Sequence, residues 1–217
     1  MKTRSLIAAV AALCCVFISS PGWAFAAEIR NGPTALVEPA ETVDDDLFAG
    51  GGRTATISGH VTGDAYAVAE TVVVNGSVDG DLIAAAQQVI VDGTIGGNLR
   101  AAGATVTING TVGRSVTAAA QHVNLTSNGH VGGSVVAFGQ TVDAFGPVGR
   151  GMTIGGGTLQ LAATVGGPVL ARVDTLSVAP SAHLGGNLNY QAKQEANLPT
   201  GAVAGAVVGG PVGAESA

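Results

Sequence analysis

A phrase of apolar and turn residues recurs about every 17 residues through the middle of the chain, and this period limits the possible folds more than any other feature. The clearest copies read TVVVNGSVDGDLIAAAQ from Thr71, QVIVDGTIGGNLRAAGA from Gln88 and TVTINGTVGRSVTAAAQ from Thr105, and looser copies begin at Thr54, His122, Thr141, Thr158 and Thr175. A repeat shorter than about 20 residues has no room for a helix pair or a propeller blade. The sequence therefore predicts an all-β fold, a single-domain parallel β-helix (β-solenoid) with about eight coils.

The aligned copies hold aliphatic side chains in four columns that are predicted to face inward. The first column contains a pair in each copy, such as Val72 and Val74, and alternation within the pair indicates a strand with one buried face. The second column runs from Val61 to Leu184, the third from Ala65 to Leu188, and the fourth, composed mostly of small residues, from Ala67 to Tyr190. Small side chains at a fixed position allow two walls to approach closely, so we expect three short walls per coil.

Glycine marks two corners of each predicted coil. One corner holds the pairs Asn75-Gly76, Asp92-Gly93, Asn109-Gly110 and Asn128-Gly129, which are pairs that tolerate positive φ. Alone they would suggest hairpins, but a chain of hairpins would not keep every inward column in phase over eight copies. The second corner follows a column that runs from Gly63 to Gly186 and includes Arg114 and Arg150.

The first 26 residues have the features of a secretory signal peptide. Lys2 and Arg4 precede an apolar segment over residues 6–18, and a small-residue cleavage motif ends at Ala26. We expect cleavage after Ala26, with an N-terminal membrane anchor as the alternative. Cleavage would remove both cysteines of the chain, and the mature protein would be periplasmic or extracellular with no membrane span.

The composition argues against nucleic acid and anionic lipid as partners, and against a low-complexity chain. Without residues 1–26 the chain has 7 basic and 15 acidic residues, a net charge of −8, which disfavours binding to nucleic acid or anionic lipid. With 34 glycines among 217 residues the chain could be a low-complexity segment, but glycine here follows the period.

The predicted solenoid covers residues 44–190. Residues 27–43 are polar and contain proline, so we expect a flexible leader there. The segment after Asp44 matches the last third of a repeat and predicts a half-coil with Phe48 near its exposed end. Residues 191–217 keep apolar and small residues without a period, which predicts a partial coil and a loose tail.

The repeated pattern x-V-x-V-x-G-x-V-x-G-D/N-L-x-A, with the closing phrase HLGGNLNY from His183, resembles the bactofilins and related polymer-forming cytoskeletal proteins. The resemblance covers residues 44–190. It implies a right-handed parallel β-helix that polymerises end to end without nucleotide and acts as a membrane-associated scaffold. The signal peptide distinguishes this chain from typical bactofilins, so an exported variant is expected.

One outward column of short acceptors is the most suggestive ligand site in the sequence. It contains Asp46, Asp64, Asp81 and Asn98, one in each coil, and such a ladder could bind Ca²⁺ or a sugar. The alternative is that each side chain caps backbone amides at a turn. Neither a metal nor a cofactor is otherwise predicted, and no motif of a catalytic family is present.

Histidines and arginines near this column are further candidates for a metal site or a catalytic groove. His60, His130 and His183 share an outward position, but several coils separate them, so they cannot hold one metal ion. Beside the ladder lie three arginines that could complete a lyase-like groove: Arg100, Arg114 and Arg150. Such enzymes usually build their sites from long loop insertions, whereas the copies here insert only two or three residues.

Self-association through the ends of the solenoid is the function that the sequence favours. Parallel strands leave unpaired N–H and C=O groups at both ends, with Leu47 and Phe48 predicted at one and Leu188 and Tyr190 at the other. The expected protein is a non-enzymatic, exported scaffold that forms a homopolymer or dimer, with envelope or peptidoglycan components as further candidate partners. The alternative is a carbohydrate-binding or carbohydrate-active β-helix that uses the ladder. A left-handed hexapeptide acyltransferase fits less well, because this repeat is not three equal hexads.

Overall fold

The computed structural model describes residues 27–211, and within this range the chain is all-β with no helix. Its strands are β1 (Glu28–Val37), β2 (Thr42–Val43), β3 (Leu47–Ile57), β4 (His60–Val61), β5 (Ala65–Val68), β6 (Thr71–Val74), β7 (Ser77–Val78), β8 (Leu82–Val91), β9 (Thr94–Ile95), β10 (Leu99–Ile108), β11 (Thr111–Val112), β12 (Val116–Leu125), β13 (His130–Val131), β14 (Val135–Ala144), β15 (Met152–Leu161), β16 (Thr164–Val165), β17 (Val169–Val178), β18 (His183–Leu184), β19 (Leu188–Ala192) and β20 (Val207–Pro211). The predicted signal peptide lies outside the described residues.

The strands stack in parallel, each about 17 residues after its partner. The long strands form one sheet in the order β1-β3-β5-β8-β10-β12-β14-β15-β17-β19-β20, with β6 between β3 and β8. The short strands form a separate sheet in two groups, β2 to β13 and β16 with β18. Single bridges through Val148 link the two groups. The predicted β-solenoid is confirmed, and it has about 11 coils where the sequence analysis counted about eight.

Each long strand bends once and so supplies two of the three walls. In β8, Leu82 and Ala84 face inward, and so do Val89 and Val91, although Val89 comes five positions after Ala84. Regular alternation cannot bury both members of a pair at odd spacing, so the chain turns a corner at residues 85–88. The short strand β9 supplies the third wall. We call the wall before the corner wall 1.

Wall 1 presents two outward columns, and these form its outer face. The first column consists of Ile29, Phe48, Tyr66, Ile83, Arg100, Thr117, Val136, Thr153, Leu170, Asn189 and Val208. The second consists of Asn31, Gly50, Val68, Ala85, Ala102, Ala119, Phe138, Gly155, Arg172, Gln191 and Gly210. Both columns run the full length of the solenoid.

The four inward columns predicted from the sequence form the core. Every residue assigned to them is buried, from Val61 and Ala65 to Leu188 and Tyr190, and none exceeds 6% exposure. The buried core of the described residues contains no charged or polar side chain. Burying a Val or Leu side chain contributes about 1.5–3 kcal/mol, so this continuous aliphatic stack is the main source of stability.

The corner glycines are required for a different reason from the predicted one. Within the described residues, positive φ occurs elsewhere and not at the Asn-Gly or Asp-Gly pairs, so that part of the prediction is wrong. The backbones of successive coils instead approach closely at this corner. A Cβ atom on Gly93 would collide with the carbonyl oxygen of Gly76, and one on Gly110 with that of Gly93. Close stacking of the coils, rather than backbone conformation, selects glycine here.

The solenoid extends one coil beyond its predicted N-terminal end, and the partial coil predicted after residue 190 is formed by β20. Where a flexible leader was expected, β1 pairs with β3 along its length and β2 pairs with β4, so residues 28–43 form an ordered coil. Its Ala35, Val37 and Val43 fill inward columns. At the other end, β20 pairs with β19 after the loop at residues 193–206. Over residues 27–211, no helix is long and apolar enough to cross a membrane.

Candidate functional site: the side-chain ladder and the two ends

The predicted ladder is present, and its side chains bind the backbone of the neighbouring coil. Asp46 Oδ1 accepts a hydrogen bond from the Asp64 amide at 2.8 Å, and Asp64 Oδ1 accepts one from the Asp81 amide at 2.7 Å. Asp81 Oδ1 accepts from the Asn98 amide at 2.7 Å, and Asn98 Oδ1 from the Ser115 amide at 3.2 Å. Each side chain therefore joins two coils, which is the structural alternative considered above.

The ladder continues beyond the residues that the sequence analysis identified. Ser115 Oγ accepts from the Ser134 amide at 3.2 Å, and Asn187 Oδ1 accepts from the Ala206 amide at 3.0 Å. The spacing of 17 to 19 residues could have identified these positions. Between them, Gly151 and Pro168 lack an acceptor side chain, and a shallow groove of about 410 Å³ lies along this interrupted stretch.

Asp81 is the ladder residue with the most contacts. Its Oδ1 also accepts a hydrogen bond from Asn98 Nδ2 at 2.9 Å, and its Oδ2 accepts one from Arg100 Nη1 at 2.6 Å. The Asn98 amide lowers the pKa of Asp81 below its usual range, and Arg100 adds to this against the opposing effect of burial. The carboxylate of Asp81 is therefore engaged in contacts within the protein, with the next coil and with Arg100.

The three arginines do not converge on one groove. Arg100 pairs with Asp81, whereas Arg114 and Arg150 line a separate corner groove of about 320 Å³ together with Asn98 and Ser115. Both Arg114 and Arg150 are exposed. The lyase-like arrangement of arginines facing the Asp ladder is therefore not formed.

The histidines occupy one outward column, as predicted. His60 is paired with Ser77, and its Nδ1 lies 2.6 Å from Ser77 Oγ while its Nε2 lies 3.3 Å from Asp79 Oδ2. His130 and His183 lie in the same column several coils away. Within residues 27–211, no group of three or more His, Cys, Asp or Glu side chains is arranged to hold a metal ion.

Charged side chains close the N-terminal end of the core. Glu28 and Arg30 lie in register with Leu47 and Ala49, at positions of inward columns, and Arg30 Nε donates to Glu28 Oε1 at 2.7 Å. Arg30 also pairs with Glu41, with Nη1 donating to Glu41 Oε2 at 3.0 Å. The hydrogen bond from Arg30 lowers the pKa of Glu41 to about 2, and the two carboxylates raise that of Arg30. This ion-paired cluster forms a polar lid.

The C-terminal end of the core is apolar. Val207 lies in register with Leu188 at an inward position, yet 46% of its surface is exposed because the described residues place no strand beyond β20. Gly209 and Pro211 follow at the next two inward positions. The two ends therefore differ in chemistry.

The four residues predicted at the ends are not terminal in this structure. Leu47 and Leu188 are fully buried, and Tyr190 is 4% exposed, because β1 and β20 cover their coils. Phe48 points outward from wall 1 and stacks on Tyr66, with ring centroids 4.6 Å apart. The N-terminal coil was not predicted because Glu28 and Arg30 break the apolar pattern there. The partial coil predicted after residue 190 is present as β20, which contains only one bulky inward residue.

The class of protein that the fold defines is a parallel β-solenoid, and in the part of the chain that the structure describes its coils have short corners without long loop insertions. No family model, no curated protein and no solved structure matches this chain.

Proposed function

We propose that this protein is a non-enzymatic structural solenoid that associates with further copies of itself through an end, as an exported scaffold in the cell envelope. One observation carries the proposal: the apolar end of the core at β20, where Val207 is 46% exposed at an inward position. Beside it lies the backbone edge of β20, which is the last strand of the sheet among residues 27–211. An uncovered core and an unpaired strand edge both favour addition of another chain.

The chemistry of the two ends decides which contact is favoured. Stacking unlike ends would bury the Arg30 cluster against Val207 and leave its charges without water. Stacking two C-terminal ends instead buries apolar surface on both sides. A contact between like ends has two-fold symmetry and closes as a dimer. Of the homopolymer and the dimer expected from the sequence, end contacts alone therefore favour the dimer.

The contacts of the ladder favour scaffolding over carbohydrate binding. Oxygen atoms of Asp46, Asp64 and Asp81 accept hydrogen bonds from backbone amides of the next coil, so a sugar would compete with contacts that hold the coils together. The bactofilin resemblance implies self-association too. Export and location in the envelope follow from the predicted signal peptide alone.

A charge on the apolar end tests the proposal. Val207→Asp should reduce the assembled mass in sedimentation equilibrium, whereas the matched change Phe145→Asp, at a residue that is 38% exposed at a corner far from that end, should leave the end contact intact. Electron microscopy of the wild-type protein should show rods longer than a single solenoid. Wild-type protein that shows only single rods, at a concentration where assembly is expected, would refute end association.

A further inference from the structure

The outer face of wall 1 contains most of the large exposed apolar side chains of the described chain. Eight such residues are exposed, and five of them lie on this one face: Ile29, Phe48, Val68, Phe138 and Val208. Their exposure ranges from 40% for Phe48 to 67% for Ile29. Apolar side chains scattered over a surface need no explanation, but a concentration on one of three walls indicates a contact surface.

This face is also nearly free of charge. Its two outward columns contain Arg100 and Arg172 as their charged residues and no acidic residue. Phe48 and Tyr66 stack on each other, with an angle of 5° between the rings, so each ring covers one face of the other. A surface that is nearly free of charge and combines aromatic with aliphatic side chains suits a protein contact.

The dimensions of the face fit a stable protein contact. Eleven coils spaced about 4.8 Å apart make it about 50 Å long, and four residues across make it about 13 Å wide. The resulting plane area, on the order of 700 Å², approaches the ~800 Å² per partner of a standard interface.

The distribution of charge identifies the occupant and its orientation. Residues 27–92 contain 11 acidic and 2 basic residues, whereas residues 93–211 contain 3 acidic and 5 basic residues. A second copy laid antiparallel brings the acidic half of each chain against the half of its partner that has a net positive charge. A parallel copy would instead place the two acidic halves together, which is repulsive.

We propose that the outer face of wall 1 binds the same face of a second copy, with the two solenoids antiparallel. The two-fold axis then passes the sixth of the 11 coils, at Thr117 and Ala119, and coils equidistant from it face each other. Phe138 lies opposite the small Ala102, and Ile29 opposite Val208. Tyr66 lies opposite Leu170, and each of the two arginines of the face lies opposite a valine.

This lateral contact is independent of the proposed contact between ends. The two contacts have separate two-fold axes, one at the middle of the rod and one at its end, and axes that do not meet give an open array. Lateral pairing together with end pairing would therefore produce a filament of paired rods, although each contact alone gives only a dimer.

A charge on the face provides the first test. Phe138→Asp should raise the lateral dissociation constant at least about tenfold, because the carboxylate would be buried against apolar surface. Phe145→Asp is the matched control, since Phe145 is 38% exposed at a corner away from wall 1. Circular dichroism should show both variants folded. Equal dissociation constants for the Phe138 and Phe145 variants would overturn the proposal.

Distances between spin labels test the orientation. In a chain with Cys14→Ser and Cys15→Ser, labels at Ala119→Cys should lie within about 25 Å of each other across the dimer, since facing sheets are about 10 Å apart. Labels at Asn31→Cys should be separated by about 48 Å, the length of ten coil spacings. A short distance at Asn31 would show a parallel pair and overturn the antiparallel arrangement.

Two further measurements separate this proposal from its competitors. Val207→Asp should leave the Ala119 distance unchanged, so a protein that loses only end contacts keeps its lateral dimer. If the wild-type chain is monomeric but floats with vesicles of phosphatidylcholine and phosphatidylglycerol, and Phe138→Asp abolishes flotation, the face binds lipid and the proposal is wrong.

Discussion

The ladder makes a direct prediction about Asp81, because this side chain bridges two coils. Asp81→Ala removes the acceptor of the Asn98 amide, which lies 2.7 Å from Asp81 Oδ1, and the partner of Arg100. Leaving a partly buried amide without an acceptor costs about 1–3 kcal/mol. The low end is expected, since the Asp81 side chain is 24% exposed and water can reach part of the site.

A thermal or urea unfolding experiment measures this loss. For a chain of this size, 1 kcal/mol shifts the Tm by roughly 2–4 °C, so Asp81→Ala should melt about 2–6 °C lower than the wild type if the cost is 1–1.5 kcal/mol. Asp81→Asn keeps an acceptor oxygen and should have the smaller effect. Native-state hydrogen exchange should show the protection of the Asn98 amide falling in Asp81→Ala.

Asp92→Ala is the matched control for this experiment. Asp92 is exposed and accepts a hydrogen bond only from the Asn109 side chain among the described contacts, at 2.6 Å. If Asp92→Ala and Asp81→Ala lower the Tm equally, the backbone contact is not the source of the effect. If Asp81→Asn is as damaging as Asp81→Ala, the pair with Arg100 matters more than the amide, and the reasoning fails.

The core, the N-terminal lid and the signal peptide give further predictions. Leu99→Asp should unfold the chain, since Leu99 is fully buried and an unpaired carboxylate there costs several kcal/mol. Thr107→Asp on an outward column should be tolerated. Equal melting curves for the two variants would contradict the column assignment. The pKa of Glu41 is depressed from 4.5 to about 2, so its stabilisation is complete above pH 4.5 and is lost as the pH falls toward 2. Hydrogen-exchange protection of the first coil should therefore fall over that pH range in the wild type. In Glu41→Gln or Arg30→Leu the protection should no longer depend on pH in this way. If both variants keep the wild-type pH profile, the Arg30–Glu41 pair is not the cause. Mass spectrometry of the exported protein should find an N-terminus at Ala27, and an intact N-terminus in washed membranes would favour an anchor.

The sequence predicted the core well because the solenoid repeats one local rule. Each inward column requires a similar side-chain size in every coil. Val61 and Leu184 could therefore be assigned to the same column although more than 120 residues separate them. The bend within each long strand was also visible, as the break in alternation between Ala84 and Val89. Because the packing repeats in every coil, such a fold can be predicted from a single sequence.

The ends could not be predicted in the same way, because an end coil has different neighbours. Glu28 and Arg30 occupy inward positions of the first described coil, which has no other described coil on its outer side, so a charged side chain can remain hydrated there. The apolar rule therefore does not apply to them, and the segment looked like a leader. The role of the ladder was ambiguous for another reason: Asp64 is equally suited to a cation and to an amide, and only the position of the next coil decides.

The pairing of each strand with a partner about 17 residues away has a consequence for how the protein folds. Relative to a chain of this length, that separation corresponds to a contact order of roughly 0.1, a value otherwise associated with fast-folding helical proteins. A new coil needs only the coil before it, so folding can proceed in order along the chain. A polypeptide emerging from a membrane channel could thus begin to fold before its C-terminal half has crossed, and each completed coil would oppose backward movement through the channel.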